Sequence, residues 1–211
     1  MILISACLLG MKCAWNGEDN YRSDKAIKLM DSETLIPVCP EQLGGLKAPR
    51  APQEIQGGSG EDVLDGKCRV LNRNGEDVTR EFVAGAEETL RIARQFHIEQ
   101  FVGKSNSPSC GCGRIYDGTF SHKFVTADGV TTALLKRNGI TVITEEEVNI
   151  CKWYSCCPIK QFTDDGKLEK YWVEDYCLLG NKKCVRYRME ERGEPHPDNM
   201  LPDGEMRENF K

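Results

Sequence analysis

Apolar residues fall into short uninterrupted runs and into helically spaced sets, and the alternation of the two organises the chain as far as residue 148. Ile2-Leu3-Ile4-Ser5-Ala6, Thr34 to Val38 and Gln100 to Gly103 read as buried strands, and Asp24 to Met30 as a short helix returning the chain from the first strand to the second. From Thr79, an N-cap residue, Phe82, Val83, Ala86, Leu90, Ala93 and Phe96 recur at helical spacing and mark one buried face, with His97 at the solvated end. Val130 to Asn138 reads as a helix ended by Gly139 in the left-handed conformation, and Ile140 to Ile143 as a last strand. The alternation predicts an α/β fold with a mostly parallel, Rossmann-like sheet over residues 1–148.

Two stretches interrupt this pattern. Cys39 to Pro52 is punctuated by Gly and Pro and predicts an irregular surface loop of the kind that carries function. Val63 to Asp77 turns at Asn74-Gly75 and predicts a hairpin-like excursion in which Cys68 is structural. From Cys151 the composition shifts to two helical stretches, Lys167 to Tyr176 and Lys182 to Glu191, joined by Leu178-Leu179-Gly180 and followed by a Pro-bearing tail. Residues 149–211 form a small cysteine-rich C-terminal appendage with too few aliphatic side chains for a core of its own.

Cys7, Cys39 and Cys110 each stand just past one of the three predicted strands. If those strands are parallel, their carboxyl ends share the sheet edge at which open α/β folds bind ligands, so three thiols converge there. A lone buried cysteine behaves as a small hydrophobe, but three at three strand ends point to a shared metal. Cys13 shares a loop with Cys7, and four thiolates would close a site where three would leave a position open. Cys110-Gly111-Cys112 leaves open which thiol takes part. Glu41, two residues past Cys39, is a candidate general acid or base, and Arg50 and Lys104 are candidates for holding an anionic group. In the appendage, Cys156, Cys157, Cys177 and Cys184, with Cys151 nearby, can bring three or four thiolates to a second centre, an iron–sulfur cluster or zinc, that replaces the missing core.

Composition narrows the setting. Eleven cysteines, an odd number, in a chain that reads as cytoplasmic argue for metal or thiol chemistry over a disulfide framework, and only three histidines favour sulfur-rich ligation. The apolar first eleven residues lack the positive flank of a signal peptide, and no run approaches the ~20 apolar residues that span a bilayer. With 28 basic against 33 acidic residues and no block of like charge, the chain does not advertise a nucleic-acid partner; the appendage, with 11 basic against 12 acidic residues over 151–211, does not either.

Four ordered motifs carry a resemblance. Ser5-Ala6-Cys7-Leu8-Leu9-Gly10 with Cys13, Pro37-Val38-Cys39-Pro40-Glu41-Gln42-Leu43-Gly44-Gly45-Leu46 with Pro49-Arg50, Ser107-Pro108-Ser109-Cys110-Gly111, and Tyr116-Asp117-Gly118-Thr119-Phe120 together resemble the thiouracil desulfidase family over residues 1–148. That resemblance implies an oxygen-sensitive 4Fe-4S cluster held by Cys7, Cys39 and Cys110, with the fourth iron open to the sulfur of a thiolated pyrimidine. It also implies that Glu41 is the acid/base residue and that Ser107 positions substrate or water. The open iron would polarise the thiocarbonyl while water attacks the ring carbon, giving the oxo pyrimidine and hydrosulfide without electron transfer. Two departures from the family pattern, Ala14-Trp15-Asn16-Gly17 and Lys104-Ser105-Asn106, touch the substrate contacts rather than the cluster.

The sequence thus reads as an iron–sulfur desulfidase acting on thiouracil or a thiouridine nucleotide. Its rivals are a tRNA thiouridine desulfidase using the appendage to bind RNA, and a non-catalytic zinc or iron–sulfur redox sensor. The appendage resembles small cysteine-containing proteins that share its Cys184-Val185-Arg186-Tyr187 and Met200-Leu201-Pro202-Asp203-Gly204 pattern.

Overall fold

Ile2, Leu3 and Ile4 have no polar face to offer water, and in the computed structural model, which describes residues 1–31, 33–148, 151–178 and 183–207, they form a strand buried on both sides, β1 (Ile2–Ser5). The chain passes through a helix, α1 (Asp24–Lys28), whose first turn is capped by the Ser23 hydroxyl accepting from the Ala26 N–H. It returns as β2 (Leu35–Val38), parallel to β1 with Ile4 opposite Pro37. Next come a helical turn, α2 (Pro40–Leu43), an antiparallel pair, β3 (Gln53–Gln56) and β4 (Arg69–Asn72), and between those strands α3 (Gly60–Leu64). The long helix α4 (Thr79–Gln95) leads to β5 (Gln100–Gly103), and a short hairpin, β6 (Ile115–Tyr116) and β7 (Phe124–Val125), precedes α5 (Val130–Arg137) and β8 (Thr141–Thr144).

The four parallel strands are ordered β2-β1-β5-β8. The chain therefore leaves β1 toward β2 on one side and later adds β5 against its other side, so the direction of winding reverses between β1 and β5. Such a reversal opens a crevice at the carboxyl ends of the strands, because the connections on either side lead away from each other. α4 holds the two parts of the core together: Phe82 and Ala86 pack with Ile55, Val63, Val70 and Ile115, and Leu90 and Ala93, one and two turns on, pack with Leu3, Phe101 and Val142. The helical spacing of these residues is what lets one face serve both clusters.

Several expectations are corrected. Ala6 does not extend the first strand but opens a 3-10 turn, Ala6–Leu9, ended by Gly10 at φ 83°, so Cys7 rides on a turn just off the sheet. The Cys39–Pro52 loop begins with helical α2, for which Pro40 supplies a preset first residue. The Val63–Asp77 excursion does turn at Asn74-Gly75, with Leu71 bridged to Asp77 and the Asn72 N–H donating to the Glu76 carbonyl at 3.0 Å, but β4 also pairs with β3 upstream, which the expected hairpin did not include. Thr79 is the first residue of α4 rather than its cap; Asp77 accepts from its N–H at 3.0 Å, and the Thr79 hydroxyl oxygen accepts from the Val70 N–H at 3.0 Å. Phe96 is 45% exposed, because α4 ends at Gln95 before that turn can face the core.

Two compact units divide the chain, Met1–Glu146 and Glu147–Lys211. The second contains α6 (Pro158–Asp164), which hydrophobic spacing did not signal, and α7 (Tyr171–Val173), which runs into a π-helical turn, Glu174–Leu178, bearing Cys177. Its last helix, α8 (Val185–Glu191), starts later than the Lys182 expected, and Leu179 to Lys182 lie outside the described residues.

Candidate functional site

The crevice at the winding reversal is a cavity of about 400 Å³. Cys7 reaches it from the turn after β1, Cys39 from the residue that caps α2 after β2, and Cys110 from the loop after β5. Cys13, Glu41 and Ser107 line the same cavity. Residues more than a hundred positions apart thus meet because three parallel strands end together. Cys112 is not among the lining residues: its thiol lies 3.4 Å from the Val142 carbonyl, so of the two neighbouring cysteines Cys110 is the one presented. Cys68 lies elsewhere, 3.8 Å from the Ser59 carbonyl.

Backbone contacts set these positions. Gly44 and Gly85 bring α2 and α4 together, and a Cβ on Gly85 would lie 1.9 Å from the Pro40 carbonyl oxygen. Only glycine allows that approach, which holds Cys39 and Glu41 at the sheet edge. Cys110 is held through its own main chain: its N–H donates to the Ser107 hydroxyl at 3.1 Å, and its carbonyl accepts from the buried Thr132 hydroxyl at 2.9 Å. The Ser107 oxygen also accepts from the Ser109 N–H at 3.1 Å, which leaves its hydroxyl proton to point toward a bound molecule.

Glu41 and Arg50 form a pair shielded from solvent, their side chains 13% and 8% exposed. Arg50 Nε and Nη2 both engage Glu41 Oε2, at 2.8 and 2.5 Å, while Nη1 donates to the carbonyls of Cys13 and Lys47 at 3.0 Å each. The fork therefore ties the carboxylate to the Cys13 loop and takes up one of its oxygens. Lys104 is engaged likewise, by Glu145 Oε1 at 3.1 Å, and Glu145 also accepts from the Ser105 N–H and hydroxyl at 2.7 and 2.8 Å. Arg50 and Lys104, the candidates for holding an anionic group, both line the cavity, and each faces a carboxylate.

Three of the thiols in the cavity, those of Cys13, Cys39 and Cys110, are pushed toward the neutral form. Cys39 is pushed well up by the Cys13 hydrogen bond, then by burial and the Glu41 charge. For Cys13 the Cys39 hydrogen bond acts downward, but the Cys7 hydrogen bond and burial outweigh it and push the thiol up to about 11. Burial pushes Cys110 up to about 12. A cation among such thiols stabilises them as thiolates. Among the described residues no three His, Cys, Asp or Glu side chains are placed to hold a single metal ion. A tetrahedral ion with metal–sulfur bonds of ~2.3 Å needs its thiolates within about 3.8 Å of each other. The all-sulfur donor set and the roomy cavity fit a polynuclear cluster, which spreads its ligands over several metal corners.

Trp15, whose Nε1–H donates to the Tyr21 hydroxyl at 2.9 Å, Glu54, Arg73, Tyr116 and His122 also line the cavity. Trp15 and Tyr116 fall in stretches the sequence singled out, whereas Glu54, Arg73 and His122 carried no signal there. Glu54 is buried and its Oε2 accepts from the Phe120 N–H at 3.0 Å, which explains the Tyr116–Phe120 motif as a turn packed on β3. The close approach of Gly118 to Ile55, whose carbonyl oxygen would lie 2.3 Å from a Cβ, requires its glycine.

In the second unit, Cys151, Cys156, Cys157, Cys177 and Cys184 all line a separate cavity of about 310 Å³.

Comparison with known proteins finds relatives that cover about two thirds of the chain or more. The chain is 49% identical, over 149 residues that make up 71% of it and 98% of the relative, to the uncharacterized protein YbbK of Bacillus subtilis (strain 168). Among solved structures it is similar to the 4Fe-4S-dependent thiouracil desulfidase TudS, with a TM-score of 0.61 and 39% identity, covering 69% of this chain and 91% of that one. A family model described as 2-thiouracil desulfurase matches residues 2–147, the whole stretch that builds the thiol-lined cavity. The chain therefore belongs to the 2-thiouracil desulfurase family.

Proposed function

We propose that the protein is a 4Fe-4S-dependent, non-redox desulfidase that converts thiouracil or a thiouridine nucleotide to the oxo pyrimidine and hydrosulfide. The observation that carries this reading is the meeting of Cys7, Cys39, Cys110 and Glu41 on one cavity in a chain 39% identical to TudS. Cys7, Cys39 and Cys110 would hold the cluster, which when bound supplies a Lewis-acidic iron for the substrate sulfur. Glu41 is the proton carrier: Arg50 occupies Oε2, and among the described residues no hydrogen bond engages Oε1, so that oxygen is available to take a proton from water and return it to a departing group. Ser107, with its oxygen already accepting two N–H bonds, orients the water or the pyrimidine through its hydroxyl proton.

A cavity of about 400 Å³ suits a base or nucleotide, within the range typical of small-molecule sites, and the net charge of −5 supports a small-molecule substrate over tRNA. Among the described residues no helix is long and apolar enough to cross a membrane, and all eleven cysteines are free thiols, which supports a cytoplasmic setting. The test is anaerobic quantitation of iron and sulfide, followed by sulfide release from thiouracil, thiouridine monophosphate and thiolated tRNA. Release from the base or nucleotide is expected. Release from tRNA alone assigns the RNA substrate instead, and a loaded cluster with no turnover of any thiolated pyrimidine overturns the enzyme in favour of a sensor.

A further inference from the structure

The C-terminal unit brings its cysteines together from four separate places in the chain. The Cys151 N–H donates to the Cys177 carbonyl at 2.7 Å, joining the start of the unit to the π-helical turn. Cys157 immediately precedes α6 and Cys184 immediately precedes α8. Cys177 and Cys184 are 4% and 8% exposed, and the Cys184 sulfur already accepts from the Tyr187 N–H at 3.5 Å, the kind of bond that steadies a thiolate. Cys151, Cys157, Cys177 and Cys184 all line the same cavity of this unit. Cys156 differs: it is exposed, and its thiol lies 3.4 Å from the Trp153 carbonyl.

A buried cation lines the same cavity. Arg186 is 3% exposed and its Nη1 is fixed by three carbonyls, of Pro197 at 2.7 Å, Asp198 at 3.2 Å and Met200 at 2.9 Å. Its buried Nε–H has no partner among the described residues. A buried donor left unpaired costs about 1–3 kcal/mol, more when it is charged, unless something accepts from it. Among the described residues of the unit, the buried apolar side chains outside its cysteines are few and include Tyr154, Ile159, Leu168, Trp172 and Leu201. A bound metal centre supplies what such a core lacks.

We propose that the C-terminal unit holds a second, structural 4Fe-4S cluster ligated by Cys151, Cys157, Cys177 and Cys184, with Arg186 donating to it from the side. Four protein thiolates leave no iron open, so this cluster takes no substrate. A single zinc fits less well, since among the described residues no three side chains are placed for one ion and the cavity is about 310 Å³. Cys151 replaces Cys156 in the ligand set expected from sequence.

The test uses the full chain, made and purified without oxygen, with Cys7→Ser, Cys39→Ser and Cys110→Ser combined so that iron reports on the second unit alone. Iron, zinc and acid-labile sulfide are then measured per chain. The expected result is about four irons and four sulfides per chain, the stoichiometry of one such cluster, lost on adding Cys151→Ser and kept on adding Cys156→Ser. About one zinc without sulfide, no metal at all, or loss with Cys156→Ser but not Cys151→Ser overturns the proposal. Should the triple variant fail to fold, Cys151→Ser in the otherwise natural chain is expected to halve the iron from about eight to about four, while sulfide release from thiouracil is retained. An unchanged iron content there overturns the proposal without touching the desulfidase reading, which the activity arm tests separately.

Discussion

Gly85→Ala sets two well-known effects against each other. In an exposed helix the substitution stabilises by about 1 kcal/mol, because alanine loses less backbone freedom on folding. Here Gly85 is buried in α4, and the added Cβ would stand 1.9 Å from the Pro40 carbonyl oxygen and 2.7 Å from its carbon, roughly 1.5 Å closer to the oxygen than ordinary contact. The neighbour is backbone, so no rotamer change relieves the clash; α2 must move away from α4 as a whole. Overpacking of this kind costs about 1–3 kcal/mol or more, so the net change is expected to be a loss of ~1–2 kcal/mol or greater. Because α2 carries Glu41 and follows Cys39, the displacement should also lower iron per chain at the N-terminal site. Urea unfolding of the metal-free protein, with Glu87→Ala on the exposed face of α4 as a control expected within about 0.5 kcal/mol, measures the first effect. Anaerobic iron quantitation measures the second. An unchanged or raised urea midpoint for Gly85→Ala would refute the reasoning that this contact fixes α2.

Glu41→Gln should keep its iron and lose about 10²- to 10⁴-fold in turnover, checked by sulfide release under iron-matched conditions; near-normal turnover removes Glu41 from the mechanism. Arg50→Met leaves the 13% exposed Glu41 side chain without its partner and should cost about 3 kcal/mol by urea unfolding, where a surface pair would cost under about 1 kcal/mol. Ser107→Ala should cost about 1 kcal/mol, since the Ser109 and Cys110 N–H groups lose one acceptor, and slow turnover while iron is retained. For the metal-free protein, the Cys110 thiol is raised from 9.0 to about 12, so the folded state keeps a proton that the unfolded state gives up. The stabilisation is complete below about pH 9 and lost toward pH 12, and the natural chain should lose about 1.4 kcal/mol per pH unit across that window beyond what Cys110→Ala loses. Equal pH slopes for the two proteins would show that burial does not hold this thiol neutral.

The local signals in the sequence were those set by near neighbours. A short uninterrupted apolar run such as Ile2 to Ile4 suits a strand covered on both faces, the spacing of Phe82, Ala86, Leu90 and Ala93 presents one face of a helix, and Gly139 ends α5 at φ 78° because a Cβ is disfavoured there. Three cysteines at strand ends were legible for the same reason, since a parallel sheet gathers its carboxyl ends whatever lies between them. What the sequence left open was decided by contacts between distant residues. Cys110 and Cys112 are equivalent by spacing, and only the packing of β8, which supplies the Val142 carbonyl to Cys112, tells them apart. Arg50 and Lys104 look alike as free cations until the fold brings Glu41 and Glu145 to them. The pairing of β4 with β3, and the roles of Glu54 and Gly118, likewise depend on segments that no periodicity connects. Periodicity reports which face of an element is buried; which partner buries it, and which charge meets which, is settled only when the chain has closed on itself.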